Sequence, residues 1–393
     1  MNNSTFAEKI VECLKEVWRD TADSKIPLHR PLFNGNEENY VSNCISSTFV
    51  SSVGTYVDEF EKGLQQYTNA KYAIATVNGT SALHICLLLA GVKPQDEVII
   101  PSVSFIATAN AVSYVGAIPH FVDSNIDSMG IDPHSLDLWM QKISILTPNG
   151  YINKATGRRL KAIVPVHIFG HPCQLNELKT IANKYKLALV EDAAEGLGSF
   201  YMNEHVGNSG LISALSFNGN KIITTGGGGC ILTNNKEIAD AAKHLTTTAK
   251  LRDSRNFVHD QIGYNYRMPN LNAAIGCAQL EQLDDFIDSK RLLYCKYKRA
   301  FSWMIENNYL QLMSEPFGCK SNYWLQTLIL SNDNEQLRDD IILAAEASGF
   351  MARPLWRPLH QQPPYAHCPR SPLPIAESLA QRIINIPSSA TES

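Results

Sequence analysis

The residues of this chain that could do chemistry sit just after short apolar runs. Asn78-Gly79-Thr80-Ser81 follows the run at 72–77 and opens a helical pattern. A glycine and then hydroxyl residues at a helix start offer backbone N–H groups and hydroxyls to an anion, most naturally a phosphate. The same residues also read as an ordinary helix cap. Glu191-Asp192-Ala193-Ala194-Glu195 follows the run at 187–190. Acids just past a buried strand are costly without a partner, which a structural salt bridge or a cap would also provide. Asn218-Gly219-Asn220-Lys221 follows the run at 214–217, and Thr224-Thr225 and four glycines, Gly226 to Gly229, come next. A lysine in an apolar, turn-rich and otherwise uncharged stretch is expected to be desolvated, which favours a nucleophilic amine. The glycines would let backbone approach a ligand, or simply turn a hairpin. No G-x-G-x-x-G follows the first run, which argues against a dinucleotide site.

In combination these signals specify one cofactor. They supply a phosphate seat, an acid 29 residues before a lysine (221 − 192), and an aromatic ring at Phe105. Those are the parts needed to hold pyridoxal phosphate. The lysine forms an imine, the acid keeps the pyridine nitrogen protonated so that the ring draws electrons, and the aromatic stacks on the ring.

Positioning these residues is the task of an alternating pattern. Short β-rich runs at 72–77, 97–100, 118–122, 162–166 and 187–190 alternate with helical spacing at 81–90, 106–115 and 175–185. The runs are apolar throughout, as expected for strands buried on both faces. The chain is therefore expected to form an α/β sheet with helices on each side, binding its ligand outside the carboxyl ends of the strands. Two more strand-like runs, at 214–217 and 229–233, flank the glycine-rich turn. Helical spacing at 6–18 precedes the breakers Pro27 and Pro31, so residues 1–35 read as a helix and extended arm and 36–270 as a large domain. A long helical pattern from Leu271 to about Tyr297 enters a smaller α+β domain at 271–393, with a strand at 323–330, a helix at 336–347 and a proline-rich stretch at 353–374. Tyr323-Trp324 is assigned to the core of that domain.

Composition narrows the function classes. The 393 residues carry 34 Lys+Arg against 38 Asp+Glu, a formal charge of −4 and a pI near 6.3, which argues against a sequence-independent nucleic-acid binder. Hydrophobic residues make up 44% and charged ones only 18%, enough for a large core and a hint of surface covered by a partner subunit. No run approaches the roughly 18 apolar residues of a membrane span. The first twenty residues carry acids among the apolar ones, unlike a signal or transit peptide. Nine scattered cysteines without a C-x-x-C pair fit free thiols in a reducing cytoplasm better than a disulfide frame or a zinc site. His167 and His171 have the i, i+4 spacing of a metal pair, but Gly170 and Pro172 place them on a turn, so structural or substrate-contact roles rank above metal binding.

The chain resembles the DegT/StrS group of pyridoxal-phosphate sugar aminotransferases over nearly its whole length. The matching stretches are Asn78 to Leu83, Pro101 to Thr108, Glu191-Asp192-Ala193-Ala194-Glu195, Ser216-Phe217-Asn218-Gly219-Asn220-Lys221 and Gly263-Tyr264-Asn265-Tyr266-Arg267. Within the group it looks most like the branch that aminates UDP-linked 4-keto sugars on the way to legionaminic acid. Phe49-Val50-Ser51-Ser52-Val53-Gly54, the run from Ser216 to Gly229, and His244 to Lys250 carry that likeness.

The resemblance implies aminotransferase fold type I, with a mixed, mostly parallel seven-stranded sheet between helices. It implies that Lys221 bonds the cofactor and moves the proton, that Asp192 pairs with the pyridine nitrogen and that Phe105 stacks on the ring. Gly79, Thr80, Ser81 and Ser216 would hold the phosphate, and Asn265 would reach the phosphate from a neighbouring subunit, so that a homodimer shares its active sites. Glu195 stands where many relatives have Gln or His near the phenolic oxygen. Arg267 is a candidate for the donor's carboxylate or a structural ion pair, and His29, Arg30 and His167 are candidate sugar-nucleotide contacts. The implied reaction takes an amine from an amino acid, expected to be L-glutamate, leaves pyridoxamine phosphate, and passes the amine to the C4 ketone of UDP-2-acetamido-2,6-dideoxy-hexos-4-ulose. Members with histidine for the lysine are dehydratases; Lys221 argues against that rival, and against a regulatory homologue without activity.

Overall fold

The computed structural model describes residues 3–21, 23–251 and 256–391. Its centre is a seven-stranded sheet of β1 (Tyr72–Thr76), β2 (Glu97–Pro101), β3 (Ile118–Val122), β4 (Leu160–Ile163), β5 (Ala188–Asp192), β6 (Ile212–Ser216) and β7 (Gly229–Thr233). The strand order is β1-β7-β6-β5-β4-β2-β3. Only β7 runs antiparallel to its neighbours, β1 and β6; every other pairing is parallel. That arrangement is the expected mixed sheet of an aminotransferase of fold type I.

The continuous apolar runs are explained by helices on both faces. Ile74, Val98, Ile100 and Ala214 join one core cluster, while Ala73, Ala75, Ile99 and Leu215 join the other, so successive side chains go to opposite layers. The helices in chain order are α1 (Asn3–Val17), α2 (Glu37–Ser47), α3 (Thr55–Thr68), α4 (Gly79–Leu89), α5 (Ile106–Tyr114), α6 (Pro133–Ile143), α7 (Leu175–Lys184), α8 (Lys236–Thr246) and α9 (Asn270–Glu281). Helices α4, α5 and α8 cover the first face; α3, α6, α7 and α9 cover the second.

The long helical pattern after Leu271 is two helices, α9 and α10 (Leu283–Ala300), separated at Gln282, whose φ of −107° and ψ of 2° leave the helical region. Gln282 is held there by its side chain, which donates to Glu37 and to the Ala278 carbonyl. Beyond α11 (Ser302–Glu306), α12 (Glu335–Ala347) and α13 (Pro374–Arg382), a second sheet forms from β8 (Leu310–Leu312), β9 (Gln326–Leu330), β10 (Arg353–Pro354) and β11 (Ile383–Ile386), in the order β8-β9-β11-β10. The strand expected from 323 begins only at Gln326, because Tyr323 adopts a left-handed φ of 51°.

Helix α1 belongs to this second unit. Phe6, Ile10 and Leu14, spaced along one face, are buried with Leu293 and Tyr297 of α10, Ile341 of α12 and Ile384 of β11. Among the described residues no helix is long and apolar enough to cross a membrane, and no cluster of three or more His, Cys, Asp or Glu could hold a metal ion.

Candidate active site

The parallel strands deliver their carboxyl ends to one edge of the sheet, and a cleft of about 330 Å³ opens there. Gly79 and Thr80 follow β1, Phe105 follows β2, Asp192 ends β5 with Glu195 just beyond, Ser216 ends β6, and Lys221 lies on the next turn; all seven line the cleft. The C-terminal part of the chain adds Trp324 and Trp356.

Close backbone approach builds the seat at the head of α4. The Asn78 side chain caps the helix by accepting from the Ser81 N–H at 2.8 Å. A side chain at Gly79 would put its Cβ 2.7 Å from the Ser216 Cβ, and one at Gly229 would lie 2.5 Å from the Asn78 carbonyl. Glycine at 79 and 229 thus lets β6, β7 and the α4 N-terminus meet, which brings the Thr80 and Ser216 hydroxyls to the same wall. Ser81 is buried behind that wall and does not line the cleft.

Asp192 is buried, and its Oδ2 accepts from the Thr108 hydroxyl at 2.7 Å, while Oδ1 accepts from the Ala194 N–H at 3.2 Å. Thr108 is itself bonded to Ser104 at 2.8 Å. Burial pushes the Asp192 carboxyl above its ordinary range, against the pull of Thr108, Ala194 and the charge of Lys221. Burial likewise raises Glu195, opposed by Lys221 and the Phe169 N–H and reinforced by the charge of Asp192. The Glu195 Oε1 lies 3.2 Å from Lys221 Nζ, and its Oε2 accepts from the Phe169 N–H at 2.8 Å. Lys221 is largely buried, as expected from its sequence neighbourhood, but its surroundings are not uncharged: an acid 26 residues away in sequence (221 − 195) pairs with it.

Two buried carboxyls thus face one amine, and among the described residues Asp192 has no cation within ion-pair distance. A ring whose nitrogen carries a proton fits that deficit, and a phosphate fits the glycine-built seat with its two hydroxyls. The donor set therefore suits pyridoxal phosphate. That group, when bound, supplies an aldehyde that bonds an amine and a ring that draws electrons from it.

Other residues singled out in the sequence lie elsewhere. His167 is fully buried, with its Nε2 on Glu191 at 3.1 Å and its Nδ1 accepting from the Cys173 N–H at 3.2 Å. Both ring nitrogens are used inside the protein, so His167 is a core group and not a cleft contact. His171 hydrogen-bonds Ser321 at 2.9 Å. The imidazole nitrogens of His29 are buried without a hydrogen-bond partner, and burial, with the charges of Lys290 and Lys221, depresses its pKa. Arg30 is exposed and pairs with Asp23 at 2.6 Å. Asn265 is exposed on a segment that bridges Thr247, and Arg267 bridges Thr76 with its Nε buried and unpartnered; neither lines this chain's cleft.

Trp324 and Trp356 are the cleft residues that the sequence reading missed. Trp324, expected in the core of the small C-terminal domain, is only 3% exposed but packs in the cluster of the central sheet, and one face of its ring looks into the cleft at Lys221. The aromatic rings of Phe105, Phe169, Trp324 and Trp356 form a continuous wall with centroid separations of 5.1 to 6.4 Å.

The sequence model of the DegT/DnrJ/EryC1/StrS aminotransferase family matches residues 32–391. The GDP-perosamine synthase of Escherichia coli O157:H7 is 39% identical over 365 residues, covering 92% of this chain and 93% of that protein. EpsN of Bacillus subtilis (strain 168), described as a putative pyridoxal phosphate-dependent aminotransferase, is 35% identical across 86% of this chain and 83% of its own length. Among solved structures, a DegT DnrJ EryC1 StrS aminotransferase from Brucella abortus superposes with a TM-score of 0.80 at 29% identity, covering 91% of each chain. With the sheet, the seat and the acid–lysine pair already in place, the chain belongs to the DegT/DnrJ/EryC1/StrS aminotransferase family and is a pyridoxal-phosphate-dependent aminotransferase.

Proposed function

We propose that this enzyme transfers an amino group from L-glutamate to the C4 ketone of a nucleotide-linked 6-deoxysugar, with UDP-2-acetamido-2,6-dideoxy-hexos-4-ulose as the leading acceptor, in the building of a surface glycan or a legionaminic-type acid. The observation that carries the reading is the convergence of Lys221 Nζ, Asp192 and Glu195 on one cleft, with Lys221 at 3.2 Å from Glu195. Lys221 holds and moves the proton at Nζ. Asp192 accepts the ring N–H of the cofactor, the α4 N-terminus with Thr80 and Ser216 holds its phosphate, and Phe105, 52% exposed at the mouth, covers the ring. Glu195 holds Lys221 while the amine is free.

Asn265 is exposed and does not line its own chain's cleft, which supports a homodimer in which it reaches the partner's phosphate. Exposed apolar side chains at Phe33, Ile45, Phe49 and Val53 supply a surface for that second copy. His29 and Arg30 stay candidates for the sugar nucleotide, and Arg267 for the donor's carboxylate or a structural ion pair. Nine free cysteines suit a cytoplasmic enzyme. The resemblance to GDP-perosamine synthases at 39% and 36% identity favours a GDP-linked ketone as the second reading.

The test is amine transfer from glutamate to a panel of UDP- and GDP-linked 4-keto-6-deoxysugars, together with borohydride reduction of the loaded enzyme. The expected results are ping-pong kinetics and cofactor trapped on the Lys221 peptide. Consumption of the ketone with glutamate omitted would instead identify a dehydratase or lyase. No trapped cofactor, or full function in Lys221→Ala, would refute the proposal.

A further inference from the structure

Lys221 is gripped from the C-terminal part of the chain as well as from the central sheet. Its Nζ lies 4.0 Å from the centroid of the Trp324 ring and 3.2 Å from the carboxylate of Glu195. The indole N–H of Trp324 donates to the carbonyl of Asn220, the residue just before the lysine, at 2.5 Å. Every polar atom of Trp324 is in turn fixed. Its backbone N–H donates to Asn322 Oδ1 at 2.8 Å, and its carbonyl accepts from the buried Lys290 Nζ at 3.1 Å. The amide of Asn322 also donates to the Glu195 carbonyl at 2.8 Å, so a single side chain ties the backbone of Trp324 to the backbone of Glu195.

We propose that Trp324 is a positioning residue for the reacting amine: its N–H sets the backbone of the turn at Asn220, and its ring face shares with Glu195 the task of holding the Lys221 amine. The inference rests on the reading of Lys221 as the reacting group. A ring face attracts a cation through its quadrupole, and does so more strongly where water is excluded. The N–H bond to a backbone carbonyl resists rotation of the turn, which would otherwise carry the amine out of the cleft. The indole comes from a segment 103 residues beyond the lysine (324 − 221), and it is packed in the same hydrophobic cluster as the central sheet.

The two contacts can be separated by substitution. Trp324→Phe keeps a ring face and loses the N–H; Trp324→Leu loses both. From ordinary strengths of such contacts, kcat falls about fivefold in the first and about 20-fold in the second, with both KM values unchanged. The independent readout is NMR of full-length protein labelled at lysine Cε and loaded with pyridoxamine phosphate, in which the lysine amine is free. One lysine signal, absent in Lys221→Met, is expected upfield of the others through the ring current of Trp324. It is retained in Trp324→Phe and lost in Trp324→Leu. An unshifted Lys221 signal in the wild type, or KM values rising with kcat unchanged in both variants, overturns the proposal and leaves Trp324 as wall. Borohydride trapping separates the two levels of failure. If cofactor is trapped on Lys221 while the Trp324 variants behave as wild type, this inference fails alone; if nothing is trapped there, the underlying reading fails first.

Discussion

Replacing Asp192 by Asn is expected to stabilise the cofactor-free protein while weakening the loaded one. The wild-type carboxylate is buried, accepts two hydrogen bonds, from Thr108 and Ala194, and has no ion-pair partner among the described residues. An asparagine keeps both contacts: its oxygen accepts from Ala194, and its NH₂ donates to Thr108, whose own proton can turn to Ser104, 2.8 Å away. Only the charge is lost. The penalty relieved is that of an incompletely compensated buried ion, about 1–3 kcal/mol, which corresponds to a rise of a few degrees in Tm. The sign follows from the raised carboxyl of the folded state. The native chain holds the Asp192 proton more tightly than the unfolded chain, so stability falls as pH rises from the ordinary carboxyl range through the raised value, and the penalty is complete at neutral pH. With cofactor present the ranking reverses. Losing a charge-assisted bond to the ring nitrogen costs about 1.5–3 kcal/mol of affinity, and turnover falls on the order of 10²–10³-fold, the size seen when one preorganised electrostatic partner is removed. Thermal denaturation of wild type and Asp192→Asn with and without pyridoxal phosphate, at pH 7.5 (about neutral, above the ordinary carboxyl range), measures both effects. The reasoning is refuted if the variant is the less stable of the two without cofactor, or if cofactor protects both equally.

Two further outcomes follow from buried groups near the site. Gly170 has a φ of 91°, and a Cβ there would sit 1.8 Å from Asn322 Oδ1; Gly170→Ala should cost about 3 kcal/mol, from the left-handed backbone and one or two displaced hydrogen bonds, and a urea midpoint equal to wild type would contradict this. His205 is fully buried and neutral, since its Nε2 accepts from the Gly198 N–H at 2.8 Å, and burial lowers its pKa to about 4. The unfolded chain therefore binds a proton that the native chain refuses, and stability is lost as pH falls from about 6.5 to 4, by up to about 3 kcal/mol from this group. His205→Gln should flatten the acid limb of a urea-midpoint titration, and an unchanged slope would show that other groups set it.

The central sheet and seven of the cleft residues were legible because each lies within a few positions of a continuous apolar strand, where local sequence and site coincide. What escaped notice did so for physical reasons. Helix α2 buries only Glu37 and Cys44, so it carries no apolar stripe. The break at Gln282 depends on Glu37, 245 residues away, and periodicity cannot register such a contact. The pairing of Lys221 with Glu195 and the face of Trp324 is likewise tertiary, and Trp324 is 103 residues beyond the lysine (324 − 221). His167 looked like a site residue because it follows a strand; its partner Glu191 points into the same interior layer, and only the packing reveals that.

The seam between α1 and the far end of the chain has a consequence for biosynthesis. Val17 leaves the ribosome 318 residues ahead of Glu335, where α12 begins (335 − 17). Until then Phe6, Ile10 and Leu14 have no complete hydrophobic face to settle on. At typical elongation rates of about 5–20 residues per second, that is an exposure of roughly 15–60 seconds. The apolar stripe of α1 thus stays uncovered for that interval, and its packing against α12 forms only once Glu335 and the residues after it have been made.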